Sequence, residues 1–203
     1  MGGMYEVVNA MYELAKSLGV NFHFNSNIEK IDVQGKKAKF LLMGKEKIPA
    51  DVIVASADYH HVEQQLLPPE SRKYSPEYWD SRELSPSSLL FFLGMDKKLD
   101  GFKHHTLFFD EDFYQHANEL FDNPQWPSKP LLYTSATSKT DPSVAPEGHE
   151  NLMVLIPVAP NLKDTDETRE KYYDLAMNRL ENVTGQKIRE HVVYKKVYAH
   201  REF

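Results

Sequence analysis

Cysteine is absent from the 203 residues of the chain. This absence excludes disulfides, thiolate nucleophiles and metal sites with sulfur ligands. Long apolar runs are missing as well: the stretches "SLLFFLGM" and "NLMVLIPVAP" are far shorter than the roughly 20 residues of a membrane-spanning helix. The sequence therefore predicts a chain that is soluble or lies on a membrane surface.

Glycine is scarce, with nine residues in the whole chain. Their spacing forms neither G-x-G-x-x-G nor a P-loop, and G-x-S-x-G and H-E-x-x-H are also absent. A chain that holds a dinucleotide by itself needs a glycine-rich loop, because backbone amides must approach the pyrophosphate closely. We therefore expect no complete dinucleotide site within these residues.

Positive charge is also limited, with 24 Lys and Arg against 30 Asp and Glu and a formal net charge of −6. The basic residues are scattered in pairs such as Lys97-Lys98 and Lys195-Lys196. A phosphate-binding surface needs Lys and Arg clustered on one face. The sequence therefore predicts no nucleic-acid partner.

Nine histidines are present, among them the adjacent pairs His60-His61 and His104-His105. Helical metal ligands are spaced by three or four residues, and neighbours on a strand point to opposite faces. We therefore predict no metal site, and expect one histidine of each pair to be buried and hydrogen-bonded while the other is solvated.

An acidic run, Asp110-Glu111-Asp112, precedes a predicted helix at about residues 112–122. A general acid–base pair is one interpretation. A cap is favoured over it, because acids at a helix start complement its positive end.

Hydrophobic periodicity predicts an α+β fold with a largely antiparallel or mixed sheet and packed helices. An opening helix is expected to pack through Met4, Val8 and Met11 onto a buried strand "DVIVA", and "VNFHFNS" alternates like a strand. A hairpin is predicted to turn at Gln34-Gly35, and Asp58 to cap a helix. Further strands are predicted at about 88–95, 105–109, 131–136, 151–157 and 191–198, and a further helix at about 164–183.

Two predicted strands, "SLLFFLGM" and "TLFF", are apolar at nearly every position. Strands of this kind are covered on both faces. A helix layer, a long apolar ligand or a partner domain would each provide the cover, and periodicity alone does not separate these three.

Three stretches carry a resemblance to a known family: "GGMYEVVNAMYELAKSLGVNFHFNSNIEKI", "HHTLFFDEDFYQHANELF" and "TDPSVAPEGHENLMVLIPVAPNL". They resemble the bacterial-type phytoene desaturases, which are FAD-dependent carotenoid desaturases of the amine-oxidase-like flavoprotein superfamily. The resemblance covers nearly the whole chain. Family members begin with a glycine-rich β-α-β flavin-binding unit, so the resemblance implies an internal fragment of a longer, two-domain enzyme.

The resemblance implies that residues 1–67 are part of the FAD-binding domain and residues 68–203 part of the substrate-binding domain. It places Ile28, in "NSNIEKI", beside the adenine of FAD, and the turn Ala55-Ser56-Ala57 beside the flavin. Ser56 stands where the family has Asn. No catalytic side chain can be carried over, and "VYAHREF" matches the family's Thr-Pro-x-Asp-Phe stretch only loosely.

The implied function is desaturation of a long, phytoene-like isoprenoid polyene in carotenoid biosynthesis. The alternatives are a carotenoid isomerase, a retinoid saturase-like flavoenzyme, or a non-catalytic domain that binds hydrophobic ligands. FAD is expected in the full-length enzyme, whereas the isolated chain should bind none, be inactive and tend to self-associate. A polyene substrate implies a cytoplasmic enzyme with peripheral membrane contact.

Overall fold

The computed structural model describes residues 3–203. They form two compact units. One comprises Leu84–Phe203 with the described part of Met1–Leu14, and the other comprises Ala15–Glu83. The α+β class is confirmed, with antiparallel pairing throughout both sheets. The division between residues 67 and 68 concerns roles in a longer protein and stays a prediction.

The unit Ala15–Glu83 contains a three-stranded sheet, ordered β1-β2-β3. Its strands are β1 (Lys30–Gln34), β2 (Lys37–Met43) and β3 (Glu46–Pro49). The β1–β2 hairpin turns at Gly35-Lys36, one residue later than predicted, and both residues have positive φ (54° and 66°). Such values suit the two-residue turns that match strand twist.

After β3 come α2 (Tyr59–His61), which continues as a π-helical turn over Val62–Leu66, and α3 (Pro76–Asp80). The Asp58 carboxylate accepts a hydrogen bond from the His61 amide and caps α2, as predicted. Glu63, only 1% exposed, accepts hydrogen bonds from the amides of Lys73 and Tyr74 and from the indole of Trp79. Burial alone would raise the pKa of Glu63, but these donors outweigh it and lower the pKa. The carboxylate therefore anchors the loop before α3.

The larger unit is built on a five-stranded sheet, ordered β5-β6-β7-β4-β8. Its elements follow the predicted positions within one or two residues and are, in chain order, β4 (Ser87–Met95), β5 (His105–Phe108), α4 (Phe113–Phe121), β6 (Leu132–Ser135), β7 (Glu150–Val158), α5 (Asp166–Thr184) and β8 (Val192–Tyr198). Asp112 caps α4 by accepting from the Tyr114 and Gln115 amides, so the capping interpretation of the acidic run is confirmed for Asp112.

Helix α5 covers one face of this sheet and completes the main core. Thr165 caps its start, and Gly185 ends it with φ of 67°. Alternate residues of β4 and β7 point into the core, and the Phe91 ring lies 5.5 Å from the Tyr173 ring of α5. The fully or nearly fully buried core side chains include Leu89, Phe91, Leu93, Met95, Leu152, Val154, Ile156, Met177 and Leu180.

Three predictions for the first 60 residues are wrong. Neither "VNFHFNS" nor "DVIVA" forms a strand, and α1 (Tyr5–Ser17) buries none of its residues. Val8 is 54% exposed and Val54 is 88% exposed. An apolar segment becomes a buried strand only where a neighbouring strand pairs with its backbone and another layer covers it. The described residues supply neither for residues 51–55, and nothing among them buries the apolar face of α1.

Candidate functional site: the open face of the five-stranded sheet

The second face of the five-stranded sheet carries no α5 helix, and we call it the open face. Residues that are paired across antiparallel strands share a face, so the register with the core residues fixes its members. They are Ser88, Leu90, Phe92 and Gly94 of β4, His105 and Leu107 of β5, Tyr133 and Ser135 of β6, Asn151, Met153, Leu155 and Pro157 of β7, and Tyr194, Lys196 and Tyr198 of β8. None of the large apolar side chains in this set is fully buried.

A cavity of about 570 Å³ lies on the open face, and we call it the sheet cavity. Its apolar walls include Phe92, Met153 and Tyr194, and its polar walls include His105. Gly94 shapes this region, because a Cβ at that position would lie 3.1 Å from Cβ of Tyr194. The glycine therefore allows β8 to bring a tyrosine close to β4.

A second, smaller cavity of about 190 Å³ lies between α4 and the neighbouring strands, and we call it the α4 cavity. Its walls are almost wholly apolar: Leu107, Phe109, Phe113, Ala117, Leu120, Phe121, Leu131, Leu132, Tyr133 and Pro157, with His116. Several of these rings, including Phe109 and Phe113, are more than half exposed. The α4 cavity is therefore an apolar recess bordered by exposed aromatic rings.

His116 holds α4 in this position. It is 2% exposed, and its Nδ1 accepts a hydrogen bond from the Leu131 amide at 3.0 Å. The single proton of the neutral ring is therefore on Nε2, which donates to the carbonyl of Pro157 at 3.0 Å. Both ring nitrogens thus link α4 to its neighbours, one to Leu131 just before β6 and the other to Pro157 of β7, so His116 positions the recess.

Tyr133 lines both cavities. We call the two cavities together the trough. Near its middle, the Tyr133 hydroxyl lies 2.6 Å from Nδ1 of His105, and the two rings stack with an interplanar angle of 21°. The trough is thus a largely apolar surface that carries an imidazole–phenol pair, in which the imidazole is exposed and the phenol is half-buried.

The predicted cofactor-binding residues lie in the other unit. Ile28 is half-buried and precedes β1, where the Glu29 amide donates to the carbonyl of Leu42. Ala55-Ser56-Ala57 is exposed and irregular, between β3 and Asp58. The chain enters β1 and leaves β3 at opposite ends of the three-stranded sheet, so that sheet does not bring the two segments together.

The predicted cofactor-binding residues could contact a flavin but could not enclose it. The backbone over residues 52–56 is irregular and mostly exposed, so it can run along a cofactor, and the small side chains at 55–57 leave room for one. Ligand sites usually enclose most of their ligand. The residues are therefore suited to one edge of a flavin site, and their role stays a prediction.

The histidine pairs differ from expectation, because no member of either pair is buried. The imidazole of His104 lies 2.6 Å from the Thr140 hydroxyl, and the ring centroids of His104 and His105 lie 4.2 Å apart. Both pairs sit next to short or irregular segments, where strand alternation does not hold. Within residues 3–203, no group of three or more His, Asp or Glu is arranged to hold a metal ion.

Comparison with known proteins gives the family. The model of the flavin-containing amine oxidoreductases matches residues 1–203. The chain belongs to this family. Over the part of the chain that the structure describes, no helix is both long and apolar enough to cross a membrane.

The relatives that the chain resembles include several carotenoid desaturases. A carotenoid 3,4-desaturase from Haloarcula japonica is 38% identical over all of this chain and 41% of the relative. A 4,4'-diapophytoene desaturase from Staphylococcus haemolyticus is 31% identical over all of this chain and 42% of the relative. A phytoene desaturase from Fusarium fujikuroi is 30% identical over 82% of this chain and 29% of the relative. The chain thus spans less than half the length of these relatives.

A solved structure shares the fold. An oxidoreductase from Methanosarcina mazei superimposes with a TM-score of 0.68 at 16% identity, over 98% of this chain and 42% of that protein. The sequence comparison thus establishes the family, and the structural comparison shows the fold.

The sequence did not predict which residues form the open face. The only signal for it was the pair of strands that are apolar at nearly every position, which indicated that both faces of the sheet are covered. The positions of Phe92, Tyr133 and Tyr194 on one surface depend on the strand order β6-β7-β4-β8, which no local pattern specifies.

Proposed function

We propose that this chain acts as part of a longer FAD-dependent desaturase of a long isoprenoid polyene. The open face contributes the surface for the polyene, and residues 15–83 contribute one edge of the flavin site. The observation that carries the proposal is the trough, whose α4 cavity is almost wholly apolar and whose sheet cavity is lined mostly by aromatic and aliphatic groups beside a smaller polar part. A conjugated polyene is flat, apolar and elongated, which suits such a surface.

The chemistry divides between cofactor and chain. A bound flavin would supply the oxidant that accepts a hydride from the polyene. The residues of the trough would bind and orient the polyene and exclude water from it. Phe92, Met153 and Leu155 offer apolar contact along the sheet, and each large side chain that becomes fully buried stabilises binding by roughly 1.5–3 kcal/mol.

The same surface supports a proposal about membranes. The exposed aromatic side chains of Phe109, Phe113 and Phe121 border the α4 cavity. A polyene resides in lipid, so this border is where the longer protein would meet a bilayer and withdraw its substrate. The neighbouring acids Asp110, Glu111 and Asp112 disfavour strongly anionic lipid, since like charges repel.

The test is a product assay on the full-length protein that contains this chain. Purified protein is supplied with FAD and with vesicles that carry phytoene or lycopene. We expect FAD-dependent products that absorb at longer wavelength, because each new double bond extends the conjugation. Phe92→Asp should abolish conversion, because it buries a charge in the trough, whereas Val183→Asp on the exposed surface of α5 should not.

Other outcomes contradict desaturation in distinct ways. Products with the same number of double bonds but altered geometry would identify an isomerase. Products with fewer double bonds would identify a saturase. A polyene that binds and stays unchanged, with flavin present, would indicate a protein that binds hydrophobic ligands without transforming them.

A further inference from the structure

Desaturation removes two hydrogens from neighbouring carbons of the polyene. One leaves as a hydride, which a bound flavin accepts, and the other leaves as a proton, which needs a base. Among the described residues that line the trough, none is Asp, Glu, Lys or Arg. The bases of the trough are therefore the imidazoles of His104, His105 and His116.

Two polar groups of the trough are unsuited to this role. His116 has no free nitrogen, because Nδ1 accepts from the Leu131 amide and Nε2 donates to the Pro157 carbonyl. Ser135 lines the sheet cavity and is 9% exposed, and its hydroxyl has no hydrogen-bond partner within residues 3–203. A serine hydroxyl is a far weaker base than an imidazole, so it offers a ligand a hydrogen bond but takes up no proton. The choice is thus between the two adjacent histidines.

Hydrogen bonding fixes the tautomer of His104. Its Nδ1 lies 2.6 Å from the Thr140 hydroxyl. That hydroxyl has one proton, which it donates to the carbonyl of Thr137 at 3.3 Å, so its oxygen accepts the proton of Nδ1. The lone pair of the neutral ring is therefore on Nε2, and no group of the described residues hydrogen-bonds to this atom.

His105 lacks such a constraint. Its Nδ1 lies 2.6 Å from the Tyr133 hydroxyl, and within residues 3–203 no second contact of that hydroxyl sets the direction of the bond. Nε2 of His105 is unprotonated in only one of the two arrangements. The rings of His104 and His105 are 4.2 Å apart, so His105 forms a wall beside the better-defined base.

We infer that His104 is the catalytic base of the desaturation and accepts the proton at Nε2. The inference rests on the proposed function, because it names the base for the reaction proposed there. One C–H bond of the polyene breaks, and its electron pair leaves with the hydrogen to the flavin. The neighbouring C–H bond breaks, its proton passes to Nε2, and its electrons form the new C=C bond.

The surroundings of His104 suit this transfer. The bond from Nδ1 to the Thr140 hydroxyl is present before and after, so the ring keeps its orientation as it becomes an imidazolium. His104 is half-buried, so the imidazolium also reaches water, to which it returns the proton. Thr140 is thus a positioning residue for the base.

The experiment uses the full-length protein that contains this chain, loaded with FAD and supplied with vesicles of phytoene or lycopene, whichever it converts faster. His104→Ala should slow conversion by about 10²- to 10⁴-fold, the usual contribution of a general base. Polyene binding should change by less than about threefold, because a half-buried imidazole offers little apolar contact. His149 lines neither cavity, so the control His149→Ala should leave the rate unchanged.

Added imidazole separates a base from a structural group. It fits the space left in His104→Ala and should restore the rate by about tenfold or more. The restored rate should rise with the basicity of methyl-substituted imidazoles, since proton transfer follows Brønsted behaviour. His105→Ala leaves the base in place and should show no such rescue. Thr140→Val should slow conversion, whereas Thr140→Ser, which keeps the hydroxyl, should not.

A chemical probe tests the free nitrogen without turnover. Diethyl pyrocarbonate acylates unprotonated imidazole nitrogens, and in His105→Gln protein mass spectrometry assigns the modification to His104. We expect bound lycopene to slow this modification severalfold. His149 is the matched control, because its Nδ1 donates to the Glu147 carbonyl at 2.9 Å and leaves Nε2 unprotonated in the same way. Its modification rate should not change.

The outcomes distinguish the inference from the proposed function. Three results overturn the assignment of His104 and leave the desaturase intact: conversion by His104→Ala within about tenfold of the unmodified protein, rescue that is absent or independent of basicity, and modification of His104 that bound lycopene leaves unchanged. Failure of the unmodified protein to desaturate either polyene overturns the proposed function, and the inference with it.

Discussion

Phe91→Ala is expected to lower the free energy of unfolding by about 3–5 kcal/mol. Phe91 is fully buried on β4, opposite Val154 of β7 and Val197 of β8, and its ring contacts Tyr173 of α5. Truncation leaves a cavity between sheet and helix that close-packed neighbours fill only partly. Urea denaturation followed by circular dichroism measures the change.

The control is the next residue on the same strand. Phe92 lies on the open face and is 38% exposed, so Phe92→Ala should lower the free energy of unfolding by at most about 1.5 kcal/mol, since less apolar area leaves the interior. Equal losses for the two variants would contradict the assignment of a core face and an open face.

Arg169→Met is expected to destabilise the larger unit by about 3–5 kcal/mol, the cost of breaking a buried ion pair by removing one partner. Arg169 is 7% exposed. Its Nε and Nη2 donate to the two carboxylate oxygens of Asp164, at 2.7 and 2.5 Å. Its Nη1 and Nη2 donate to those of Glu202, at 3.1 and 2.6 Å. Without the guanidinium, two carboxylates face each other, and the Asp164 side chain is only 2% exposed.

The same cluster predicts a pH dependence. Hydrogen bonds from Arg169 lower the pKa of Asp164 and the pKa of Glu202. A carboxyl group whose pKa is lower in the folded state than in the unfolded state stabilises the folded state. This stabilisation is complete above the ordinary pKa, near 4, and is lost as the pH falls through the pKa of the folded state. The difference in stability between the unmodified chain and Arg169→Met should therefore narrow from pH 6 to pH 3.

Arg201→Met is the matched control for Arg169→Met. Arg201 is ion-paired with Asp166 and Asp164, but its side chain is 45% exposed. Exposed ion pairs are worth at most about 1 kcal/mol, so the loss should be small. A loss as large as that of Arg169→Met, or a difference for Arg169→Met that stays constant with pH, would contradict the role of the buried cluster.

The sequence predicted the larger unit well because its signals are local. Asp112 and Thr165 cap helices, Gly185 ends one, and the apolar strands are bounded by turn residues. The opening helix was predicted and is present as α1, but its packing and the strand at residues 51–55 were predicted wrongly. Periodicity reports that a face is apolar but does not report what covers it, and the described residues supply no cover for either segment.

The candidate site was also predictable only where local sequence patterns specify it. The strands "SLLFFLGM" and "TLFF" indicated cover on two faces, with three possible sources. In the structure one face of the sheet packs on α5, whereas the other is half-exposed. The pairing of His105 with Tyr133 joins residues 28 positions apart, and it follows from the β5–β6 register rather than from any motif.

The central claim is that a polyene lies on the open face, and the absence of cysteine allows a direct measurement of it. Met153→Cys places a unique thiol on the open face, and Val183→Cys places one on the exposed surface of α5. The rate of maleimide labelling is measured for each in empty octyl glucoside micelles and in micelles that contain lycopene. We predict that lycopene slows labelling at position 153 severalfold and leaves position 183 unchanged. Equal rates at position 153 with and without lycopene would contradict the account.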